Sequence, residues 1–280
     1  MTTTVSTIGR SGSGPRTASG PPRVMAVEIG QHVDALEREG LAFACAAEKA
    51  GLDAAVPTCP EWTVRDLARH TGYVHRWAAF YVREAHPAML GDDEEDAAVG
   101  PLPDDADLLT WFRDGHDALV EALRAAPEDL ECWHFLNAPS PLAFWVRRQA
   151  HEMAIHRADA EAATGPISGV AREFGVDGID ELLLCFYTRR GGRLRSDRPC
   201  TLLVQASDVD DTAWTVRIGP DGAAIQRGQA DGEPADCVLR GPASELYLAL
   251  WNRRSTDDLD VDGDRAVLDL WRERATVRWT

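Results

Sequence analysis

Residues 147–161 read R147-RQAHEMAIHRADAE-161 and place two histidines and a glutamate within six positions. The segment predicts a helix, because residues 142–163 lack glycine and proline and are rich in alanine, glutamate, arginine and methionine. In the H-E-x-x-H motif of zinc proteases, two residues separate the glutamate from the second histidine. Here three residues separate Glu152 from His156, so protease geometry is excluded.

On a helix, only some of the metal-binding residue types in this segment would lie on the same face. Successive side chains turn by about 100°, so Glu152 and His156 would lie roughly 40° apart, whereas His151 and His156 would lie about 140° apart. Glu152 and His156 can therefore share one metal ion, and His151 cannot join them. A catalytic zinc ion takes three protein ligands and keeps one open position, so a third ligand has to come from another element.

Length and composition limit the class of protein. The chain has 280 residues, which is enough for one large domain or two of ordinary size. No apolar run reaches the roughly 20 residues of a membrane-spanning helix. The net charge of −17 argues against a nucleic-acid partner, which selects basic surfaces. The six cysteines are scattered without a C-x-x-C pair, which predicts reduced thiols and a cytoplasmic location.

The N-terminal part of the chain is predicted to be helical. Residues 1–25 are rich in Ser, Thr, Gly and Pro and are expected to form a disordered tail, not a secretory signal. Residues 26–165 contain four amphipathic segments, which predict a four-helix bundle able to hold a metal between facing helices. These segments cover about 26–50, 63–86, 107–125 and 142–163. The acidic stretch 91–107 between them is predicted to be a solvated loop.

Residues 170–280 have a different pattern and predict a small α/β domain. A helix is expected at 178–189 and strands at 200–206, 213–218 and 223–227, the last two joined by a hairpin turn at G219-PDG. A short strand at 237–240, a helix at 243–252, a strand at 259–261 and a helix at 264–274 follow.

His70 is the candidate for the third metal ligand. Five residues of the second helix recur at i, i+3 and i+4 spacing and predict an apolar stripe that faces the bundle interior: Leu67, His70, Val74, Trp77 and Tyr81. A metal would also offset the cost of burying the Glu152 carboxylate. On spacing alone the alternative stays open that His70 is a hydrogen-bonded core residue and that Glu152 pairs with Arg148 or His156.

Two segments resemble the mycothiol-dependent maleylpyruvate isomerase family. C59-PEWTVRDLARHTGYVHRWA-78 is similar to the opening motif of that family, and H151-EMAIHRADAE-161 is similar to its E-x-x-x-H-R-x-D segment. The resemblance spans about residues 26–280 and implies a DinB-like four-helix bundle followed by a sterol-carrier-like α/β domain. It also implies that His70, Glu152 and His156 are the metal ligands. One departure is Glu61, where the family usually has glycine.

The resemblance also implies an activity. A zinc ion, or another divalent metal, would bind the thiol mycothiol, and the thiolate would add to an activated double bond, allow rotation and leave again. The substrate would be a small unsaturated keto acid of the maleylpyruvate type. An S-transferase that joins mycothiol to an electrophile is the first alternative, and a non-catalytic metal-binding protein is the second.

Further site residues follow from position along the two ligand-bearing helices. Arg148, Arg76 and Arg83, with Arg147 beside them, are candidates for binding a substrate carboxylate or the thiol, and surface ion pairs are the alternative. Asp159 lies one turn beyond His156 and is expected either to orient that ligand or to face solvent.

Overall fold

The structure, a computed structural model, describes residues 28–188, 194–229 and 234–275. The predicted tail, residues 1–25, lies outside the described residues. A series of helices comes first along the chain and is followed by a mixed sheet with further helices, as predicted. The helices are α1 (Ile29–Ala50), α2 (Val64–Glu84), α3 (Asp92–Val99), α4 (Leu108–Ala125), α5 (Pro141–Ala162), α6 (Arg172–Asp180), a π-helix (Glu181–Phe186), α7 (Ala243–Leu250) and α8 (Ala266–Arg274).

The four long helices α1, α2, α4 and α5 form the predicted bundle. Helix α1 packs along α5 and α4, and α2 packs against the same two helices from the other side. The start of α2 is fixed by a capping box, because the backbone N–H of Asp66 donates to the Thr63 hydroxyl and the Asp66 carboxylate accepts from the backbone N–H of Thr63 at 2.9 Å. A threonine followed three positions later by an acidic residue is the sequence signature of such a box.

The acidic stretch is only partly the solvated loop that the sequence predicts. Residues 92–99 form α3, which has four acidic residues in its first turn. Negative charge there is stabilised by the positive end of the helix dipole. The Glu95 carboxylate also accepts from the Trp77 indole N–H at 2.9 Å and from the Tyr73 hydroxyl at 3.2 Å. These two hydrogen bonds fasten α3 to α2.

The buried face of α2 is rotated from the predicted stripe. Leu67 and Tyr81 are fully buried, whereas His70, Val74 and Trp77 are only half-buried. Residues Ala68, Thr71, His75 and Ala79 are buried instead, because α4 packs on that side. His70 therefore lies at the edge of the buried face, where solvent and small molecules can reach it.

Helix α5 is buried on nearly every side. Other helices of the bundle cover one side, and residues from the C-terminal part of the chain contact the other. Buried ionisable side chains are thus spread all around this helix: Arg148, His151, Glu152, His156, Arg157 and Asp159.

The C-terminal part contains a five-stranded sheet in the order β3-β2-β1-β4-β5. The strands are β1 (Cys200–Ala206), β2 (Ala213–Gly219), β3 (Gly222–Arg227), β4 (Cys237–Gly241) and β5 (Asp260–Gly263). Strands β1 and β4 pair in parallel, and all other neighbours are antiparallel. The predicted strands and the β2–β3 hairpin are confirmed. The predicted boundary between residues 165 and 170 falls in the segment between α5 and α6.

The regular helix predicted at 178–189 is replaced by two different pieces. Helix α6 begins earlier, at Arg172, and runs without a break into the π-helix Glu181–Phe186. A π-turn is wider than an α-turn and shifts the positions of the side chains that follow, and the apolar pattern of the sequence does not reveal it. Residues 189–193 lie outside the described residues.

None of the helices in the described segments combines the length and the apolar character needed to cross a membrane. All six cysteines lie in the described segments, and none of them is bonded to another there.

The close crossing of α1 and α4 depends on Gly40. A Cβ atom at this position would overlap the imidazole ring of His116 on α4, whereas a Cβ atom at Gly30 of the same helix would meet nothing within 4 Å. Gly40→Ala should therefore lower the free energy of unfolding by about 1–3 kcal/mol. Gly30→Ala serves as the matched control and should leave it unchanged or raise it slightly. Chemical denaturation compares the two variants, and equal stability would contradict the crossing described here.

Candidate metal centre

Two residues of α5 and one of α2 bring three ligand atoms together. Glu152 Oε1 lies 3.0 Å from His156 Nε2 and 3.3 Å from His70 Nε2. One ligand atom from each residue lies within 4.8 Å of the other two. Glu152 and His156 are buried, and the His70 side chain is 21% exposed. The three predicted ligands therefore form one cluster, the candidate centre, which is open on the His70 side.

Trp62 covers one side of the candidate centre. This residue directly precedes the capping box of α2, which fixes its position relative to His70. The Trp62 ring stacks on His156, with centroids 6.3 Å apart and an interplanar angle of 14°, and meets the edge of His70 at 5.1 Å. Such a wall restricts both the orientation of the imidazoles and the access of water.

Asp159 holds the other side of the His156 ring. Its Oδ2 lies 3.0 Å from His156 Nδ1, an arrangement in which Nδ1–H donates to the carboxylate and Nε2 faces Glu152 and His70. Asp159 is fully buried and does not face solvent. Arg253, which follows α7, donates to both Asp159 oxygens at 2.9 and 3.0 Å, and the Thr58 hydroxyl donates at 2.6 Å.

Arg148 contacts the ligand carboxylate, and the structure does not leave it free for substrate. Its Nη2 donates to Glu152 Oε2 at 3.0 Å, and its Nη1 donates to Glu181. The Arg148 side chain is only 2% exposed. It therefore binds the Glu152 oxygen that points away from the two histidines, instead of a substrate carboxylate as the sequence suggests.

The other predicted arginines lie away from the candidate centre. The Arg76 guanidinium stacks 3.8 Å from the centroid of the Trp111 ring and donates to the Trp111 carbonyl at 2.7 Å. Arg83 donates to the Ala118 carbonyl at 2.8 Å. Both side chains thus face α4. Helical spacing places them about 120° and 140° around α2 from His70, which agrees with this arrangement. Arg147 binds Asp177.

In the candidate centre, the ionisation states of His156 and Glu152 favour a positive charge next to the Glu152 carboxylate. Burial alone would lower the pKa of His156, but the charges of Glu152 and Asp159 and the hydrogen bonds to them raise this pKa to about 9. The pKa of Glu152 lies well below its usual range, because the attraction and hydrogen bonds of His156, the hydrogen bond of His70 and the charge of Arg148 outweigh burial.

The charges around the ligand atoms leave one carboxylate in excess, which favours a cation there. Three buried carboxylates, those of Glu152, Asp159 and Glu181, face the guanidinium groups of Arg148 and Arg253. Buried charge without a counter-charge is costly, so the excess carboxylate requires a further cation. Without a metal, the raised pKa of His156 means that a proton fills this role. Two imidazoles and a carboxylate are also a ligand set that zinc accepts.

A second group of two histidines and a carboxylate lies on the opposite side of α5. His32 Nε2 and His151 Nε2 lie 2.9 and 2.8 Å from Asp177 Oδ2. Here, however, Arg147 Nε donates to the same oxygen at 2.8 Å. A guanidinium on the shared oxygen repels a cation. This second group therefore acts as a hydrogen-bonded contact between the bundle and α6, and the Tyr247 hydroxyl lies 3.3 Å from the other nitrogen of His151.

Three residues of the site are not predicted from the sequence: Trp62, Arg253 and Glu181. Glu181 has a local signal, because it and Asp180 directly precede the apolar residues 182–186, which indicates buried charges that need partners. The pairing of Arg253 with Asp159 spans 94 positions and has no local signal.

The fold and the candidate centre define a two-domain class in which a helical domain with a His–Glu–His cluster precedes an α/β domain. The family model of the mycothiol maleylpyruvate isomerase N-terminal domain matches residues 33–161. The model of the C-terminal domain of the same proteins matches residues 173–270. The chain belongs to the mycothiol-dependent maleylpyruvate isomerase family.

Solved structures show the same fold. A crystal structure of the mycothiol-dependent maleylpyruvate isomerase aligns with a TM-score of 0.56 at 11% identity and covers 84% of this chain and 93% of that chain. A histidine-to-alanine mutant of the mycothiol-dependent maleylpyruvate isomerase aligns with a TM-score of 0.57 over the same shares and at the same identity. Among curated proteins none matches the chain in sequence.

The composition of the candidate centre predicts which variants lose metal. The purified protein should bind about one zinc ion per chain, and the double variant Glu152→Ala, His156→Ala should bind none, because two of three ligands are removed. His70→Ala should lose most of its zinc. His86→Ala, just beyond the end of α2, and His151→Ala are the matched controls and should keep it. Elemental analysis measures the content, and full occupancy in the double variant would refute the site.

The raised pKa of His156 predicts how zinc affinity depends on pH. Below about 9 this imidazole is protonated in the metal-free protein, so zinc has to displace a proton. Apparent affinity should therefore rise by close to tenfold for each pH unit between pH 7 and 8.5. Competition with a chromophoric chelator measures this slope. Asp159→Asn removes one of the groups that raise the pKa and should flatten it, whereas a pH-independent affinity in the unsubstituted protein would contradict the assignment.

Proposed function

We propose that the chain is a zinc- and mycothiol-dependent enzyme that converts the cis isomer of an unsaturated keto acid of the maleylpyruvate type into the trans isomer. The observation that carries the proposal is the convergence of His70 Nε2, Glu152 Oε1 and His156 Nε2 in a member of this family. The excess of one buried carboxylate around these atoms supports a cation there.

The chain's own residues would hold and shield the reaction site. His70, Glu152 and His156 would hold the zinc ion, which when bound lowers the pKa of a thiol ligand and supplies thiolate near neutral pH. Asp159 keeps the His156 Nδ1–H group occupied, so that Nε2 remains the ligand atom. Trp62 limits the access of water beside the two imidazoles.

The proposed reaction needs a thiol but consumes none. The mycothiol sulfur adds to one carbon of the double bond, and the electron pair of that bond moves into the conjugated carbonyl group. The remaining single bond rotates, and return of the electron pair expels the thiolate and leaves the trans alkene. We place this reaction in the cytoplasm, because a free thiol cosubstrate and six unpaired cysteines both fit a reducing compartment.

Thiol dependence is the sharpest test of the proposal. The zinc-loaded protein is mixed with maleylpyruvate and mycothiol, and formation of the trans isomer is followed by absorbance and proton NMR. Turnover should require both zinc and thiol, and mycothiol should support it better than glutathione, because contacts with the sugar part select the cosubstrate. His70→Ala should lose turnover, and the matched control His86→Ala should retain it.

Three results would contradict this function. Isomerisation at full rate without a thiol would exclude the addition–elimination route. Full turnover after removal of zinc would exclude the metal. A stable covalent adduct between mycothiol and an added electrophile, without isomerisation, would favour the S-transferase alternative, and mass spectrometry detects such an adduct directly.

A further inference from the structure

Three charged side chains form a buried chain beside the candidate centre. Arg148 lies between two carboxylates and donates from Nη2 to Glu152 and from Nη1 to Glu181. The exposed fractions of the three side chains are 2% for Arg148, 8% for Glu152 and 3% for Glu181. The Arg148 guanidinium also lies 5.1 Å from the ring centroid of Phe186 and 5.7 Å from that of Trp251. The arginine is thus held in one position.

The π-helix brings Glu181 to this position. Glu181 is its first residue and directly follows α6, and the next two residues, Leu182 and Leu183, are fully buried. A carboxylate at the start of such an apolar run is costly to bury unless it is paired. π-helical turns are rare and frequently occur at functional sites. The wide π-helical turn and the buried carboxylate of Glu181 are therefore two separate features that indicate a function at this position.

Glu181 changes how Arg148 can bind Glu152. A guanidinium with a single carboxylate partner commonly forms two parallel hydrogen bonds and occupies both carboxylate oxygens. Because Glu181 takes Nη1, the end-on pair of Nη1 and Nη2 is not available to Glu152, which accepts from Nη2 through Oε2 alone, while Nε has no hydrogen-bond partner. Oε1 stays free of the guanidinium and faces His70 and His156. Two carboxylates around one guanidinium also leave a net negative charge next to the ligand atoms.

We propose that Glu181 is a positioning residue of the candidate centre. By sharing Arg148 it keeps Glu152 oriented with Oε1 toward the metal position and preserves the negative charge that attracts a cation. This inference rests on the zinc site of the proposed function. It assigns a role in metal binding to the C-terminal part of the chain, through a residue that does not touch the metal.

The experiment compares two neighbouring buried carboxylates. Glu181→Gln keeps the size of the side chain and one acceptor oxygen but removes the charge. Asp180→Asn is the matched control, because Asp180 is also a largely buried partner of an arginine, Arg227, and accepts from the Trp214 indole N–H at 2.7 Å, away from the candidate centre. Both variants should lower the melting temperature. Only Glu181→Gln should lower zinc affinity, by about 10- to 100-fold, as loss of a residue that supports a ligand commonly does.

Two further measurements separate positioning from simple domain packing. The absorption spectrum of the Co²⁺-loaded protein reports on the ligand geometry and should change in Glu181→Gln and not in Asp180→Asn. Arg148→Met removes the shared donor, and adding Glu181→Gln to it should change the Co²⁺ spectrum little further, because Glu181 acts on the ligand geometry through Arg148.

The possible results distinguish the two proposals. If the unsubstituted protein binds no zinc, the proposed function fails and this inference fails with it. If the unsubstituted protein binds zinc while Glu181→Gln has unchanged affinity and an unchanged Co²⁺ spectrum, only the role of Glu181 is overturned. Equal loss of zinc affinity in Glu181→Gln and Asp180→Asn would likewise show that Glu181 contributes only to domain packing.

Discussion

The structure depends on the burial of charged side chains around α5. A buried ion costs several kcal/mol unless a partner of opposite charge or good hydrogen bonds compensate it. Helix α5 carries such groups on several sides, and their partners come from α1, α2, the π-helix and the segment after α7. The C-terminal part therefore has to dock on the bundle in one orientation, in which Asp159 meets Arg253 and Arg148 meets Glu181.

The same constraint distinguishes two clusters that look alike by composition. Each contains two histidines and one carboxylate, and α5 contributes to both. In one, the guanidinium of Arg148 binds the carboxylate oxygen that points away from the imidazoles. In the other, Arg147 binds the oxygen that both imidazoles share. The position of a single arginine thus decides whether such a group attracts a cation or serves as a contact between domains. Residue type alone does not separate the two cases.

Much of this arrangement could be predicted from local patterns. The long helices, the Thr63 capping box, the β2–β3 hairpin and the convergence of Glu152 with His156 follow from spacing within one element. Arg76 and Arg83 are predicted as site residues because they lie on a ligand-bearing helix, although their spacing from His70 already turns them to another side of that helix, which the structure shows to face α4. Helix α3 was missed because its acidic residues resemble a solvated loop. The pairing of Arg253 with Asp159 depends on docking of distant segments, and the π-turn at Glu181 leaves no periodic signal.

The contact between Asp159 and Arg253 also has a consequence for biosynthesis. The two residues are separated by 94 positions, so the ribosome completes the bundle well before it adds the arginine. Domains generally fold as units from the N-terminus during translation. In the interval, the buried Asp159 carboxylate has His156, Thr58 and solvent as its partners. The nascent helical domain therefore exposes this polar face to solvent until the C-terminal part has been synthesised.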